Sequence, residues 1–461
     1  MGRGQKRSWG GGGGRGGGRG GNSWQQDKRP KKDYLGRDDL HNAAFEEYYK
    51  AQEIVPEGEW AAFLATLRRP LPVTFRINGS GKFADHLRDK LKHDFFAKLS
   101  GEELTVDGEP VTAPRQLPWY PHGYAWQLEF SRNQLRKLPL LAAIHDFVKH
   151  ANDAGSISRQ EAVSMVPPLF LDVQPQHRVL DMCAAPGSKT FQLLEALHAG
   201  SRPGQTPAGL VVANDADFMR CNLLTHQTKR VCSPCLMVTN HDASRFPTHL
   251  AGVPPQQQPQ QQQQQPQDAG VVGAEAGATA AAAAAKPQRV EVRFDRILAD
   301  VPCSGDGTLR KSPDIWRRWN ISGGNGLHSM QLRIAMHGAK LLEVGGRMVY
   351  STCTFNPVED EAVVAELLLR CGGALELVDV ADCLPELRRM PGKTHWKVRD
   401  RNRFYDSWEE AREVGFKLEA SMFSSPEKAA LPLHRCMRFL PHHGDTGGFF
   451  VAVLRKVAEL P

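Results

Sequence analysis

Val179-Leu180-Asp181-Met182-Cys183-Ala184-Ala185-Pro186-Gly187-Ser188-Lys189-Thr190 decides the fold of this chain. An apolar β-rich run starting at Arg178 gives way to a loop of small residues with one Gly, and helical patterning follows from Lys189 to His198. The same alternation recurs downstream. Further extended runs are expected at Leu210 to Asn214, Cys235 to Thr239, Phe294 to Ala299 and Gly346 to Ser351, and helices at Asp217 to Lys229, Leu327 to Glu343 and Val358 to Leu369. Strands alternating with helices of this length predict an α/β fold with a mostly parallel sheet wound on both faces. Leu375 to Val380 and Gly448 to Leu454 supply further strands.

The loop itself says what kind of ligand fits. Small residues let the backbone approach a bound molecule, and the helix start beyond offers free N–H donors. One Gly alone makes no dinucleotide fingerprint, and Lys189 lacks the upstream spacing of a triphosphate loop. The second strand closes with Asn214-Asp215. An acid there is where Rossmann-like folds hold a ribose diol, although Asp also caps helices.

Cys303, in Ala299-Asp300-Val301-Pro302-Cys303-Ser304-Gly305, and Cys353, in Ser351-Thr352-Cys353-Thr354, each follow an expected strand. With the usual strand order 3-2-1-4-5 these strands lie side by side, so both thiols open onto one crevice and can face one substrate. Spacing does not say which sulfur attacks. Cys221, Cys371, Cys383 and Cys436 are read as small buried hydrophobes. Cys232-Ser233-Pro234-Cys235 has redox or zinc spacing, but no second pair or nearby His cluster completes it, so no metal is expected.

A chain of 461 residues, 41% hydrophobic, can bury one large core or two smaller ones. Nine cysteines without a recognisable signal peptide argue for free thiols in a reducing compartment. No apolar run approaches the roughly 18 residues that cross a bilayer, and Lys6 stands where a myristoylation signal wants Ser or Thr, so no membrane partner is expected. Net charge is +7, but residues 1–37 alone hold ten Lys or Arg against two Asp. This Gly/Arg-rich stretch, with Trp9 and Trp24, cannot bury enough apolar surface to fold. Its guanidinium groups suit phosphates and stacked bases, with a merely solvated, localising tail as the equal alternative, and Lys28-Arg29-Pro30-Lys31-Lys32 resembles a nuclear import signal, so RNA is the expected partner and the nucleus the expected location, with the nucleolus a candidate within it.

Three units follow: the disordered tail at 1–37, a smaller α+β amino-terminal module at 38–150, and a catalytic unit at 151–461. The catalytic unit is broken by a Gln/Pro tract running into Gly and Ala, a disordered insertion placed at 251–289. Trp316 and Trp319 are assigned to core packing ahead of base stacking. Arg310, Lys311, Arg317 and Arg318 are candidate phosphate contacts.

Together the segments Asp181 to Thr190, Asn240-His241-Asp242-Ala243, Asp295 to Gly305 and Tyr350 to Thr354 resemble the Sun-type RNA cytosine-5 methyltransferases. Within that family the chain is most similar to the eukaryotic multisite tRNA enzymes, with Glu57-Gly58-Glu59-Trp60, Ser158-Arg159-Gln160-Glu161-Ala162 and Leu440-Pro441-His442-His443 among the other matching pieces. Animal members continue into a further carboxyl-terminal region beyond the stretch present in this sequence, which leaves RNA specificity open. The resemblance implies a Rossmann-like S-adenosylmethionine-dependent methyltransferase acting on tRNA, with an amino-terminal module that binds RNA. It implies that Cys183, Ala184, Ala185, Pro186, Gly187, Ser188 and Lys189 surround the methionine part of the cofactor. Asp215 would hold the ribose, Asp242 the adenine amino group, and Asp300 would complete the pocket. For Asp242 the plainer reading is a turn former, and for Asp300 a loop brace.

The resemblance also assigns the thiols: Cys353 attacks and Cys303 assists release. Carbon 5 of cytosine is too weak a nucleophile to take a sulfonium methyl, so a thiolate first adds to carbon 6. The carbon 5 proton must then leave before the enzyme sulfur is expelled, which calls for a second group. Asp300 is a candidate hydrogen-bond partner of the ring during addition. The rival readings are a catalytically weak RNA-binding scaffold, the same chemistry on rRNA or mRNA, and a methyltransferase for protein or small molecules, which would need no thiol pair. Oligomeric state is not legible.

Overall fold

The computed structural model describes residues 40–100, 104–201, 205–251, 289–414 and 417–461. The basic tail, and the insertion apart from its first and last residues, lie outside the described residues. The insertion's flanks, His249–Ala251 and Arg289–Glu291, pair antiparallel, so it leaves and rejoins the fold at one point.

Helix α1 (Ala43–Ala51) starts where the Asn42 side chain accepts from the amide of Phe45, an ordinary cap. Its Phe45, Tyr48 and Tyr49 recur at helical spacing and form one buried face. With Phe63 and Leu67 of helix α2 (Trp60–Leu67), that face packs on Leu309, Ile315, Trp316, Phe355 and Leu440. Trp316 is fully buried there, as core packing requires.

A four-stranded antiparallel sheet comes next, built from β1 (Val73–Ile77), β2 (Arg115–Gln116), β3 (Ala125–Leu128) and β4 (Ile157–Arg159) in the order β2-β3-β1-β4. Helix α3 (Pro139–Asp153) covers it through Leu141, Ile144 and Val148. Strand β4 lies past residue 150, so the small sheet crosses the boundary expected from the sequence. Helices α1 and α2, on the near side of that boundary, pack against the larger unit.

That larger unit is one sheet. Strands β5 (Arg178–Asp181), β6 (Leu210–Asn214), β7 (Leu236–Thr239), β8 (Phe294–Asp300) and β9 (Leu342–Thr352) run parallel in the order β7-β6-β5-β8-β9, which is the expected 3-2-1-4-5. Val179, Leu180, Val211, Ile297, Leu298 and Val349 are sealed within it, which explains their uninterrupted apolar runs. Strand β9 begins earlier than Gly346, because a register break between Phe294 and Arg296 lets Leu342 pair with Phe294. The sheet is extended antiparallel by β10 (Leu375–Leu377), β11 (Met390–Pro391), β12 (Met437–Phe439) and β13 (Phe449–Lys456). Helices α4 (Ser188–His198), α5 (Phe218–Thr228), α6 (His328–Leu341) and α7 (Glu361–Arg370) follow β5, β6, β8 and β9.

Candidate active site

The loop after β5 is fixed by its neighbour β6. The amide of Ala184 donates to the carbonyl of Asn214 at 2.8 Å, and that of Ala185 to Asp215 Oδ2 at 3.2 Å. Gly187 has φ +108°, and a Cβ there would lie 2.9 Å from Leu224 Cδ1 on α5, so the turn into α4 requires glycine. Beneath the loop Asp181 accepts from the Thr190 hydroxyl at 2.7 Å, while its other oxygen, Oδ1, is buried with no hydrogen-bond partner among the described residues. Burial pushes the Asp181 carboxyl up to about 7, a shift that the Thr190 hydrogen bond opposes and the nearby Asp300 charge adds to.

Each of the three remaining acids occupies a defined place. Asp215 is buried and also accepts from the amide of Asp217, whereas Asp217, accepting from Arg220, caps α5. The capping alternative therefore falls to Asp217 and leaves Asp215 against the loop. Asp242 is exposed, and Oδ1 accepts from the Ser244 amide at 2.9 Å and hydroxyl at 2.8 Å, the geometry of a turn former. Asp300 braces as well: Oδ2 pairs with Lys189 at 2.7 Å and Oδ1 accepts from the Ser351 hydroxyl at 2.7 Å. Burial works against the Lys189 charge, yet the Asp300 carboxylate outweighs it and raises the lysine above its ordinary range.

Register places the thiols together. Asp300 stands opposite Ser351, so the loops leaving β8 and β9 start side by side, and Cys303 Sγ lies 3.2 Å from Cys353 Sγ. The amide of Cys353 also donates to Cys303 Sγ at 3.3 Å. Hydrogen bonding to Cys353, then burial, hold the Cys303 thiol well above its usual pKa, and the Glu359 charge adds to this. At Gly307 a Cβ would lie 2.7 Å from the Cys353 carbonyl and 2.4 Å from that of Gly448, so only glycine fits between the two loops.

Behind the sulfurs lies a buried polar network that the sequence reading missed. Asp306 Oδ1 accepts from the Thr354 hydroxyl at 2.7 Å and the Phe355 amide at 2.9 Å, and Oδ2 accepts from Trp319 Nε1 at 2.9 Å and from the Tyr49 hydroxyl. Glu359 accepts from the Ser304 amide at 2.8 Å and hydroxyl at 2.6 Å. Asp306 stands among Gly, Ser and Thr and Glu359 in the acidic run Glu359-Asp360-Glu361, so the sequence carries no signal of their burial. Burial, then the facing Asp306 charge, raise the Glu359 carboxyl. Trp319 is thus tied into this support.

Arg310 is not a phosphate contact. It is buried and spends its donors on the carbonyls of Arg69, Pro70 and Thr446 and on Asp445, because buried loop carbonyls need donors and three of them converge on its guanidinium. Lys311, Arg317 and Arg318 are exposed. Cys232 is exposed and Cys235 buried, donating to the separate carbonyls of Lys229 and Pro207. His442 and His443 both place Nε2 at 2.7 Å from Glu59 Oε2, which fastens α2 to the turn before β13.

Comparison with known proteins agrees with this layout. A solved methyltransferase homologue from Pyrococcus horikoshii superposes with a TM-score of 0.55 at 21% identity, over 92% of this chain and 100% of that one. The tRNA (cytosine(34)-C(5))-methyltransferase of Drosophila melanogaster is 44% identical over 428 residues, 91% of this chain and 53% of the relative. The chain therefore spans about half the length of that relative. The tRNA (cytosine(49)-C(5))-methyltransferase of Pyrococcus abyssi is 31% identical over 66% of this chain and 71% of the relative. A family model described as 16S rRNA methyltransferase RsmB/F matches residues 168–263 and 268–387, the strands and loops that carry Asp181 to Lys189, Cys303 and Cys353. The chain belongs to the RsmB/F, or Sun, family of methyltransferases.

Proposed function

We propose that this chain methylates carbon 5 of cytosine in tRNA, with Cys353 as the transient nucleophile and Cys303 assisting release. The observation that carries the reading is the 3.2 Å approach of the two sulfurs on loops that start beside the β5 loop. S-adenosylmethionine is the methyl donor of this family, and bound it supplies an electrophilic methyl group on a sulfonium. The residues present fit such a cation: Asp181 carries a buried oxygen with no hydrogen-bond partner among the described residues, and α4 opens at Gly187 without a side-chain cap, which leaves its first N–H groups for an anionic end of the ligand. Cys183 to Lys189 would hold the methionine part, Asp215 the ribose, Asp242 the adenine, and Asp300 the rim near Lys189.

The chemistry of the chain's own groups is as follows. Cys353 Sγ forms a bond to carbon 6, and the carbon 5–carbon 6 electron pair moves to carbon 5, which takes the methyl group. The carbon 5 proton then passes to water, the electron pair of the broken carbon–hydrogen bond restores the double bond, and the carbon 6–sulfur bond breaks with Cys353 leaving as thiolate. Cys303 assists that release from 3.2 Å away. A base stacked in folded RNA cannot reach Cys353, so the cytosine flips out. Exposed Lys311, Arg317 and Arg318 support phosphate contacts near the site, and the small antiparallel sheet and basic tail support a hold on the RNA body. The basic run Lys28 to Lys32 supports residence in the nucleus.

Two relatives are named for two different tRNA positions, 34 and 49, so the nucleotide this chain modifies is read from the experiment. The test is incubation of unmodified tRNA transcripts with the purified chain and labelled cofactor, followed by bisulfite sequencing. Ribonuclease-sensitive label and protected cytosines are expected; label that survives ribonuclease overturns the reading.

A further inference from the structure

Glu359 is fully buried behind the Cys303 loop. Oε1 accepts from the Ser304 amide at 2.8 Å and Gln331 Nε2 at 3.1 Å; Oε2 accepts from the Ser304 hydroxyl at 2.6 Å and Asn356 Nδ2 at 3.0 Å. Four donors fill the acceptor directions of an ionised carboxylate, which is how a charge survives in a sealed site. Gln331 uses the same amide group to donate to the carbonyl of Pro302 at 2.9 Å. Both chain neighbours of Cys303 are thereby held by Glu359 or by the glutamine it orients. The space is closed around it: a Cβ at Gly324 would lie 2.6 Å from Glu359 Oε2.

Cys353 is held differently. It leaves β9, whose Ser351 and Thr352 are paired with β13 through Val451 and Phe450, and its carbonyl accepts from the Gly307 amide at 2.9 Å. Sheet pairing fixes one sulfur; a side-chain clamp fixes the other. We infer that Glu359 is a positioning residue for the release step, setting Cys303 against the Cys353 adduct by clamping the Cys303 loop. The inference rests on the two-cysteine reading proposed above.

The experiment compares Glu359→Gln with Cys303→Ala and the unaltered chain, each incubated with tRNA transcript and S-adenosylmethionine and run on denaturing gels. Glutamine keeps the shape but puts a donor against a donor of Ser304 or Asn356. Glu359→Gln is expected to accumulate covalent RNA-protein adduct as Cys303→Ala does. Its turnover should fall about tenfold or more, with adduct formation in a single turnover kept within about threefold. A merely structural Glu359 would slow adduct formation and turnover together and trap nothing, which overturns the inference. Should Glu359→Gln fail to fold, Ser304→Ala, which removes one donor only, decides by the same gel: adduct above the unaltered level supports the clamp, and adduct at that level overturns it. If Cys303→Ala itself traps no RNA, the release role falls and the inference with it. If Cys303→Ala traps RNA and Glu359→Gln does not, the inference alone falls.

Discussion

Lys189 Nζ and Asp300 Oδ2 meet at 2.7 Å, joining the first turn of α4 to the end of β8. The other oxygen of Asp300 takes the Ser351 hydroxyl of β9, so one carboxylate ties the β5 loop to the strands that deliver both cysteines. The β5 loop and both thiol loops are thereby joined through one side chain.

Replacing Asp300 with Ala leaves Lys189, only 12% exposed, as a nearly buried cation without its partner. Breaking a sealed pair costs about 3–5 kcal/mol, and the partial exposure of Asp300 brings the expected loss to roughly 2–3 kcal/mol. Chemical denaturation should show it, together with weaker binding of S-adenosylmethionine by titration. An unchanged midpoint and affinity would remove Asp300 from the account.

Arg76 on β1 is fully buried and bonds Glu195 on α4 and Gln160, locking the small sheet to the helix after the β5 loop. Arg76→Ala strands Glu195, and a stability loss of about 3–5 kcal/mol is expected. Replacing both members by Met should recover most of it, because neither charge then remains buried. A double variant as unstable as the single one would contradict this.

The parallel sheet and its order were legible because β5, β6, β8 and β9 are apolar on both faces and each is followed by a helix. The meeting of Cys303 and Cys353 was legible because the strand order alone sets the ends of β8 and β9 side by side. The path of α1 and α2 was not, since Phe45, Tyr48 and Tyr49 show an apolar face without naming its partner. Arg310 misled for a related reason: its donors go to carbonyls contributed by residues 69, 70 and 446, which adjoin it only after folding. Asp306 and Glu359 look like surface acids until the sheet brings Thr354 and Ser304 against them.

Asp181 gives the chain a pH signature. Its folded pKa, about 7, lies above the ordinary value of 3.8, so the folded state binds the proton more tightly. Stability from this group is therefore full below the ordinary value and is lost as pH rises toward 7. Asp181→Asn abolishes that loss. Without cofactor, the variant should gain on the unaltered chain by on the order of 2–4 kcal/mol between pH 4 and 8, read from paired denaturation curves. A constant difference across that range would contradict the burial argument.

Gly307→Ala forces the Cys353 and Gly448 carbonyls apart, since the new Cβ would sit 2.7 and 2.4 Å from them. Relieving those contacts takes a shift of about 1 Å, and a displacement of that size at the sulfurs is expected to cost about 100-fold in turnover. Binding of S-adenosylmethionine, proposed for the β5 loop, should change little. Full activity in this variant would show that the two loops are not held as tightly as Gly307 implies.

The central claim is that Cys353 bonds to the base and Cys303 helps undo the bond. Denaturing gels of tRNA incubated with S-adenosylmethionine and either Cys303→Ala or Cys353→Ala test it directly. The account predicts a retained RNA-protein band for Cys303→Ala, and neither band nor 5-methylcytosine for Cys353→Ala. Methylation of tRNA at the full rate by Cys353→Ala would contradict it.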